Sequence, residues 1–319
     1  MSCRHCTQQP IKNTFTCVPN GEKLSNDVIS FIRKWTNTKW KRNEKRRIYF
    51  WGGEPLLYWE TIKELIRKFY EFDFEFKIYT NGLLLNDEIV SFCNAYNVRV
   101  IMSYDAPLSN AVRNVVPSDE NIKMFLRIRK RTVNSVFNAI NCDLVETFKL
   151  LKAKFPATNI TVGLINLLWD IPEDIYNFDV NKIADSVQKL KEYAKTDKHS
   201  QKWFKKYKDR AYSFDKNDFL EYPFPPCRPG LVSLSVDFNG NVMRCHNDNY
   251  VLGHINEDFN SLQQKHLDEW KRLLSPKCYD CECLDICRCT CPIAIKTDDK
   301  SEFVQCFYLK EIFKAIMKE

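Results

Sequence analysis

Between Cys278 and Cys306 the chain reads Cys278-Tyr-Asp-Cys281-Glu-Cys283-Leu-Asp-Ile-Cys287-Arg-Cys289-Thr-Cys291, then Cys306, so that half of its 14 cysteines fall in one stretch. Thiols at this density do not make an ordinary core. They hold metal, form disulfides or bind iron–sulfur clusters. The N-terminus, MSCRHCTQQPIK, lacks the apolar segment of a signal peptide. No apolar run approaches the roughly 18–20 residues of a membrane span. A cytoplasmic, reducing setting is therefore expected, with no membrane partner, and there clustered cysteines read as metal or redox sites and not as covalent staples.

Smaller motifs carry further chemistry. Cys3-Arg-His-Cys6 is a CxxC pair at the start of the chain. Gly52-Gly53-Glu54-Pro55 directly follows the apolar run Arg47–Trp51, and glycines at a strand end let the backbone approach a ligand. Thr80-Asn81-Gly82 and Ser103-Tyr104-Asp105 place small polar groups at two further strand ends, where they serve either as hydrogen-bonding groups for a ligand or as capping turns.

These motifs need elements to position them. Arg47–Trp51, Phe74–Tyr79, Val98–Ser103, Thr132–Ile140 and Asn159–Leu168 read as strands. Trp59–Tyr70, a helix capped by Asn86, Asn121–Lys130, Leu144–Phe155 and Lys182–Tyr193 read as the helices between and after them. Cys93 falls on an apolar helix face and reads as core. Repeated strand–helix units imply a parallel α/β sheet, open or closed into a barrel, with ligands at the C-terminal strand ends. Past Tyr193 the pattern dissolves into the polar, basic Lys195–Tyr212 and the proline-rich Tyr222–Arg228, which sets a domain boundary near Phe214: residues 1–214, then 215–319. The net charge of +7 lies in short runs such as Arg127–Arg131 and Lys202–Arg210. Acidic residues interleave with the charge runs, so they read as solvated faces and do not favour nucleic acid.

Taken together, the CxxC pair, FWGGEP, YTNG and SYD resemble the radical S-adenosylmethionine enzymes. The later cysteines resemble their SPASM extension: Cys227-x12-Gly240-x4-Cys245, then Cys278-x2-Cys281-x5-Cys287-x3-Cys291, then Cys306. The resemblance implies a partial (β/α)6 barrel lacking its first strand, followed by a small iron–sulfur domain. It implies a 4Fe-4S cluster that binds S-adenosylmethionine and generates a 5′-deoxyadenosyl radical, with Cys3 and Cys6 as the second and third ligands. By the same resemblance His5 lies beside the adenine, Gly52, Gly53 and Glu54 hold the methionine amino group, and Ser103, Asn81 and Asp105 lie near the ribose or methionine. Two auxiliary 4Fe-4S clusters follow, one on Cys227, Cys245 and Cys291, the other on Cys278, Cys281, Cys287 and Cys306. The fourth position of the first is either open or supplied by Cys283, Cys289 or Cys142. Cys17 has no assignment.

The family motif CxxxCxxC calls for a cysteine four positions before Cys3, ahead of Met1. The chain is then either N-terminally incomplete or a degenerate relative without radical chemistry, and the intact GGEP, TNG and SYD sites favour the former. Enzymes with this extension mostly modify peptides or proteins and take electrons from a low-potential donor, a flavodoxin or ferredoxin. Sulfatase-maturing members carry an aspartate base right after the second cysteine of the extension. Here that position is His246, with Asp248 close by, and a histidine can serve as base near neutral pH. Two alternatives stand beside an oxidoreductase acting on a peptide: a radical dehydrogenase of a small metabolite, and an inactive iron–sulfur or zinc-binding relative, since four cysteines also suit tetrahedral zinc.

Overall fold

The computed structural model describes residues 3–6, 26–39, 46–106, 109–114, 116–165, 171–222, 227–230, 233–237, 239–248, 250–289, 291 and 299–318. Its centre is a five-stranded parallel sheet in sequential order: β1 (Arg46–Phe50), β2 (Phe74–Thr80), β3 (Arg99–Ser103), β4 (Arg131–Phe137) and β5 (Asn159–Leu164). A parallel pair needs a crossover between its strands, and helices supply it. α1 (Asn26–Lys39) precedes the sheet, and α2 (Trp59–Phe69) and α3 (Asp87–Ala95) follow β1 and β2. α4 (Ser109–Arg113) and α5 (Asp119–Leu126) lie between β3 and β4, and α6 (Leu144–Lys154) between β4 and β5. The expected strands and helices are all present, with ends shifted by a few residues. Residues 166–170, at the end of the expected fifth strand, lie outside the described residues.

The helix starts follow side-chain chemistry. The Asn86 Oδ1 accepts from Ile89 N at 2.9 Å, and Ser118 and Asn121 form a reciprocal capping box that starts α5 at Asp119. One apolar core runs through Ile66, Phe69, Ile78, Val100, Phe125 and Phe148, all fully buried between sheet and helices. Cys93 belongs to it, 1 % exposed, and burial pushes its thiol up to about 12.

After β5 come α7 (Glu173–Tyr176), α8 (Val180–Tyr193), α9 (Lys198–Tyr212) and α10 (Lys216–Glu221). The stretch Lys195–Tyr212 is therefore no irregular segment. Asp197 caps α9 through Ser200 N at 2.9 Å, and Trp203, Phe204 and Tyr207 bury one face. Lysines on the opposite face mask that aromatic stripe in a composition reading.

A small antiparallel sheet follows, β6 (Ser235–Val236), β7 (Asn241–Met243) and β8 (Val251–His254). Gly240, the glycine of the cysteine motif, has φ +84° at the turn into β7, and a Cβ there would meet the His254 ring at 2.8 Å. α11 (Phe259–Leu273) packs Leu262 against Val242 and Ile255 of this unit. Val28 and Phe31 of α1 join the same cluster, while Ile29 of α1 enters the main core, so that one helix bridges the two.

The chain ends with α12 (Leu284–Cys287) and α13 (Asp299–Met317). α13 returns to the main core through Tyr308, Leu309, Ile312, Phe313 and Ile316. The Tyr308 hydroxyl donates to the Ile165 carbonyl just past β5, and its ring stacks on Phe178 with centroids 4.6 Å apart. The core is thus continuous across Phe214. Among the described residues no helix is long and apolar enough to cross a membrane.

Candidate functional site

The pairing Phe50↔Ile78, Thr80↔Met102 and Ser103↔Asn134 brings the ends of β1 to β4 to one rim. Gly52, φ +149°, and Gly53 begin the turn after β1, and a Cβ on either would meet no described atom within 4 Å. This is an open backbone cradle. Glu54 is buried beneath it. Its Oε1 accepts from Leu56 N at 3.1 Å and Thr80 Oγ1 at 2.8 Å, and its Oε2 accepts from Asn81 N at 2.8 Å. The carboxylate thus staples the turn after β1 to the end of β2. Burial raises its pKa above the ordinary value, against these hydrogen bonds. The Asn81 Oδ1 accepts from Leu83 N at 2.8 Å, the capping turn weighed for this position. Ser103 stands half-buried at the end of β3, opposite Asn134.

The Cys3–Cys6 loop docks on the segment after β3. Arg4 N donates to the Val112 carbonyl at 2.9 Å, and the Arg4 guanidinium grips Asp174 at 2.5 and 2.7 Å. Asp105 has no solvent exposure: it accepts from Val136 N at 2.7 Å and Ser135 Oγ at 3.2 Å and pairs with Arg113 Nε at 2.7 Å. The same carboxylate lies 3.6 Å from His5 Nε2, and Arg113 Nη1 lies 4.0 Å from Cys3 Sγ. The place expected for Asp105, near the ribose or methionine, is corrected here: its carboxylate is fully buried and holds Arg113 and His5 beneath the cysteine loop. Burial lowers the His5 pKa to about 4 and keeps the ring neutral, while the Cys3 thiol is raised by burial first, with Arg113 opposing. Arg4, Arg113 and Asp174 were not singled out in the sequence, because single charges distant in sequence carry no spacing signal.

The second region meets this rim through Trp51. Its ring packs against Tyr79 at 4.0 Å and edge-on against His246 at 4.9 Å. His246 is open to solvent but surrounded by protein on its other sides, which lowers its pKa; its Nδ1 lies 3.9 Å from Cys245 Sγ. Asp248 does not share this position. It is 2 % exposed and ion-paired with Arg244, which also pairs with Glu269, so its role as a base beside His246 is corrected to a structural one.

The thiols fall into two groups. Burial pushes the Cys245 thiol up to about 12; Cys227 is open to solvent on one side but surrounded by protein on the others, which pushes its thiol up likewise, and each feels the Cys291 thiol close by. One cavity is lined by Cys278, Cys281, Cys283, Cys287, Cys289 and Cys306. Among the described residues no three His, Cys or acidic side chains converge on a single metal ion. Thiols spread over the walls of a cavity suit a cluster, whose separate irons each take a thiolate. The six-thiol cavity fits iron–sulfur ligation in this respect, and Cys227, Cys245 and Cys291 supply a second set of thiolate donors close to one another. Cys3 and Cys6 fit as two members of a set of three. Cys142 lies half-buried beside the main core, and Cys17 lies outside the described residues.

Fold and site together define a parallel α/β protein with one cysteine loop docked at the C-terminal ends of its strands and a second, thiol-rich region packed beside it. The Radical SAM superfamily model matches residues 1–179, and the chain belongs to that superfamily. It is 25% identical over 292 residues to the radical SAM cyclopropyl synthase TigE of Paramaledivibacter caminithermalis (strain DSM 15212 / CIP 107654 / DViRD3), covering 85% of this chain and 59% of that protein. The chain thus spans less than two thirds of that relative's length. Among solved structures it resembles native anSMEcpe with bound AdoMet (TM-score 0.67, 18% identity, 98% of this chain and 92% of the other). It also resembles Streptococcus suis SuiB bound to precursor peptide SuiA (TM-score 0.63, 18% identity, 95% and 72%). Likeness at these identities shows the shared fold.

Proposed function

We propose that the chain is a radical S-adenosylmethionine oxidoreductase of the SPASM type that modifies a peptide or protein. The observation that carries this reading is the Trp51–His246 contact, which brings the residue beside Cys245 against the one that precedes the Gly52–Gly53 cradle. The relatives support the substrate class: SuiB is seen with a precursor peptide and anSMEcpe with bound AdoMet and the Cp18Cys peptide.

In this reading Cys3 and Cys6 ligate the first 4Fe-4S cluster, and two auxiliary clusters sit on Cys227, Cys245 and Cys291 and on the six-thiol cavity. When bound, the first cluster supplies the electron that turns S-adenosylmethionine into a 5′-deoxyadenosyl radical able to take a hydrogen atom from substrate. The chain's own residues do the rest. The Gly52–Gly53 backbone receives the methionine end, with Ser103 beside it. Glu54 holds the cradle's shape by fixing Asn81 and Thr80. Arg113 and Asp105 seat the cysteine loop and His5. His246, kept neutral by its surroundings, takes the proton that leaves the substrate, while Trp51 and Tyr79 wall the rim against water. An external low-potential donor supplies electrons, and the setting is the cytoplasm.

Anaerobic purification followed by assays for iron, acid-labile sulfide and zinc is the first test. Iron and sulfide in matching amounts are expected; zinc without either would sink the reading. Dithionite-reduced protein is then assayed for 5′-deoxyadenosine, both as this chain and extended upstream to place a cysteine four positions before Cys3. Absence of the product from the extended, cluster-loaded form would remove radical chemistry.

A further inference from the structure

Cys227 and Cys245 lie on two different segments of the C-terminal region, and one helix holds both segments. The buried face of α11 is Leu262, His266, Glu269 and Trp270, which recur at the helical period. Leu262 packs against Val242 and Ile255. Each of the other three grips a cysteine-bearing segment.

His266 and Trp270 grip the segment of Cys227. Trp270 Nε1 donates to the Pro229 carbonyl at 3.3 Å. Gly230, with φ +82°, lies so close over His266 that a Cβ there would overlap its ring. Gly230 N donates to the Ser233 carbonyl at 2.7 Å, and Ser233 Oγ donates to the Cys227 carbonyl at 3.2 Å, which closes this segment on itself.

Glu269 grips the segment of Cys245. It pairs with Arg244, whose guanidinium also pairs with Asp248, and all three side chains are buried. Arg272 holds Glu269 from outside at 2.6 and 2.9 Å. Arg244 precedes and Asp248 ends the Cys245–Asp248 turn, which Asp248 N closes on the Cys245 carbonyl at 3.2 Å. Within that turn Asn247 N donates to Cys245 Sγ at 3.5 Å, and the His246 ring meets Trp51. A buried ionic network costs desolvation, and apolar side chains of similar volume serve stability as well or better. What such a network adds is direction, because each charge fixes the place of its partner.

We infer that His266, Glu269 and Trp270 are positioning residues: one face of α11 sets the spacing and aim of the Cys227 and Cys245 thiols, and with them the place of His246 against Trp51. The iron-binding part of this inference rests on the auxiliary-cluster reading above.

The test compares one variant for each grip with a packing control on the same helix. After anaerobic reconstitution, iron, acid-labile sulfide and the EPR spectrum of the reduced protein are measured, with circular dichroism to confirm folding. Gly230→Ala drives the Cys227 segment off His266, and Glu269→Ala releases Arg244. Each is expected to lose about four irons per chain, the share of one cluster, while the signal of the six-thiol cavity stays. Leu262→Ala loosens α11 by packing alone, and is expected to lower the unfolding midpoint while keeping the wild-type iron count and EPR signal. Glu269→Gln keeps the side chain's shape without its charge, and is expected to change the EPR signal even with the iron retained. If either grip variant folds and keeps wild-type iron and EPR signal, or if Leu262→Ala loses the same iron, the inference is overturned. Should neither grip variant fold, Glu269→Gln decides, and an unchanged signal overturns it. Wild-type protein that takes up no iron and sulfide would instead overturn the auxiliary-cluster reading, and this inference with it.

Discussion

The two thiol regions are held in opposite ways. Among the described residues the Cys3–Cys6 loop is fastened by charge: Arg4 to Asp174 outside, Arg113 to Asp105 inside. The six cysteines that line the C-terminal cavity sit among Leu284, Leu309 and Phe313 and are fastened by packing. A sparse ligand pair needs directional groups to aim it. A dense one makes its own cavity, and its geometry follows from the core around it.

The largest effects should separate these two modes. Phe313→Ala in α13 removes a 1 % exposed ring from the shared core and is expected to cost ~3–5 kcal/mol in denaturant unfolding. Asp105→Ala strands Arg113 in a buried site and is expected to cost about as much, ~3–5 kcal/mol. The contrast lies in iron uptake: on the proposed reading, Asp105→Ala should impair a first cluster on Cys3 and Cys6 while leaving iron on the C-terminal cysteines in place. Equal loss from all sites would erase the distinction.

Smaller changes sharpen it. Tyr308→Phe removes the hydrogen bond to the Ile165 carbonyl and keeps the stacking on Phe178, and should cost about 1 kcal/mol in the same assay. Glu54 gives a pH signature. Its raised pKa means that the folded protein keeps this proton to higher pH than the unfolded chain. Its contribution to stability is therefore full below the ordinary value of 4.5 and is lost as pH rises through the raised value. Glu54→Gln should flatten that part of the stability–pH curve, and an unchanged slope would show the carboxyl to be unperturbed. The smallest effect is expected from Arg4→Ala. Its pair with Asp174 is partly exposed, so the loss should stay below about 1 kcal/mol and shrink further in added salt.

The sheet was legible because strand and helix periods alternate cleanly from Arg46 to Leu164, and Asn86 marks a helix start by its chemistry alone. α9 was not, because lysines surround the buried Trp203, Phe204 and Tyr207. α1 and α13 were not, since each is defined by what it packs against and not by a clean period of its own. At the site, the cysteine spacing and the glycine turn could be read directly, and the meeting of Trp51 with His246 could not, because nothing in one segment encodes contact with another 195 positions away. Asp105 and Asp248 show the same limit. A carboxylate's residue type announces charge, and only the fold shows whether that charge faces a ligand or an arginine.

Among the described residues Gly53 has no neighbouring atom within 4 Å of where a Cβ would stand, and unlike Gly52 its φ lies outside the left-handed range. The fold therefore places no demand on the absence of a side chain there. Alanine, serine and valine can be installed in turn as feeler gauges of rising thickness, with folding as the constant. The size at which S-adenosylmethionine binding first weakens would measure the clearance between this backbone and whatever lies on it.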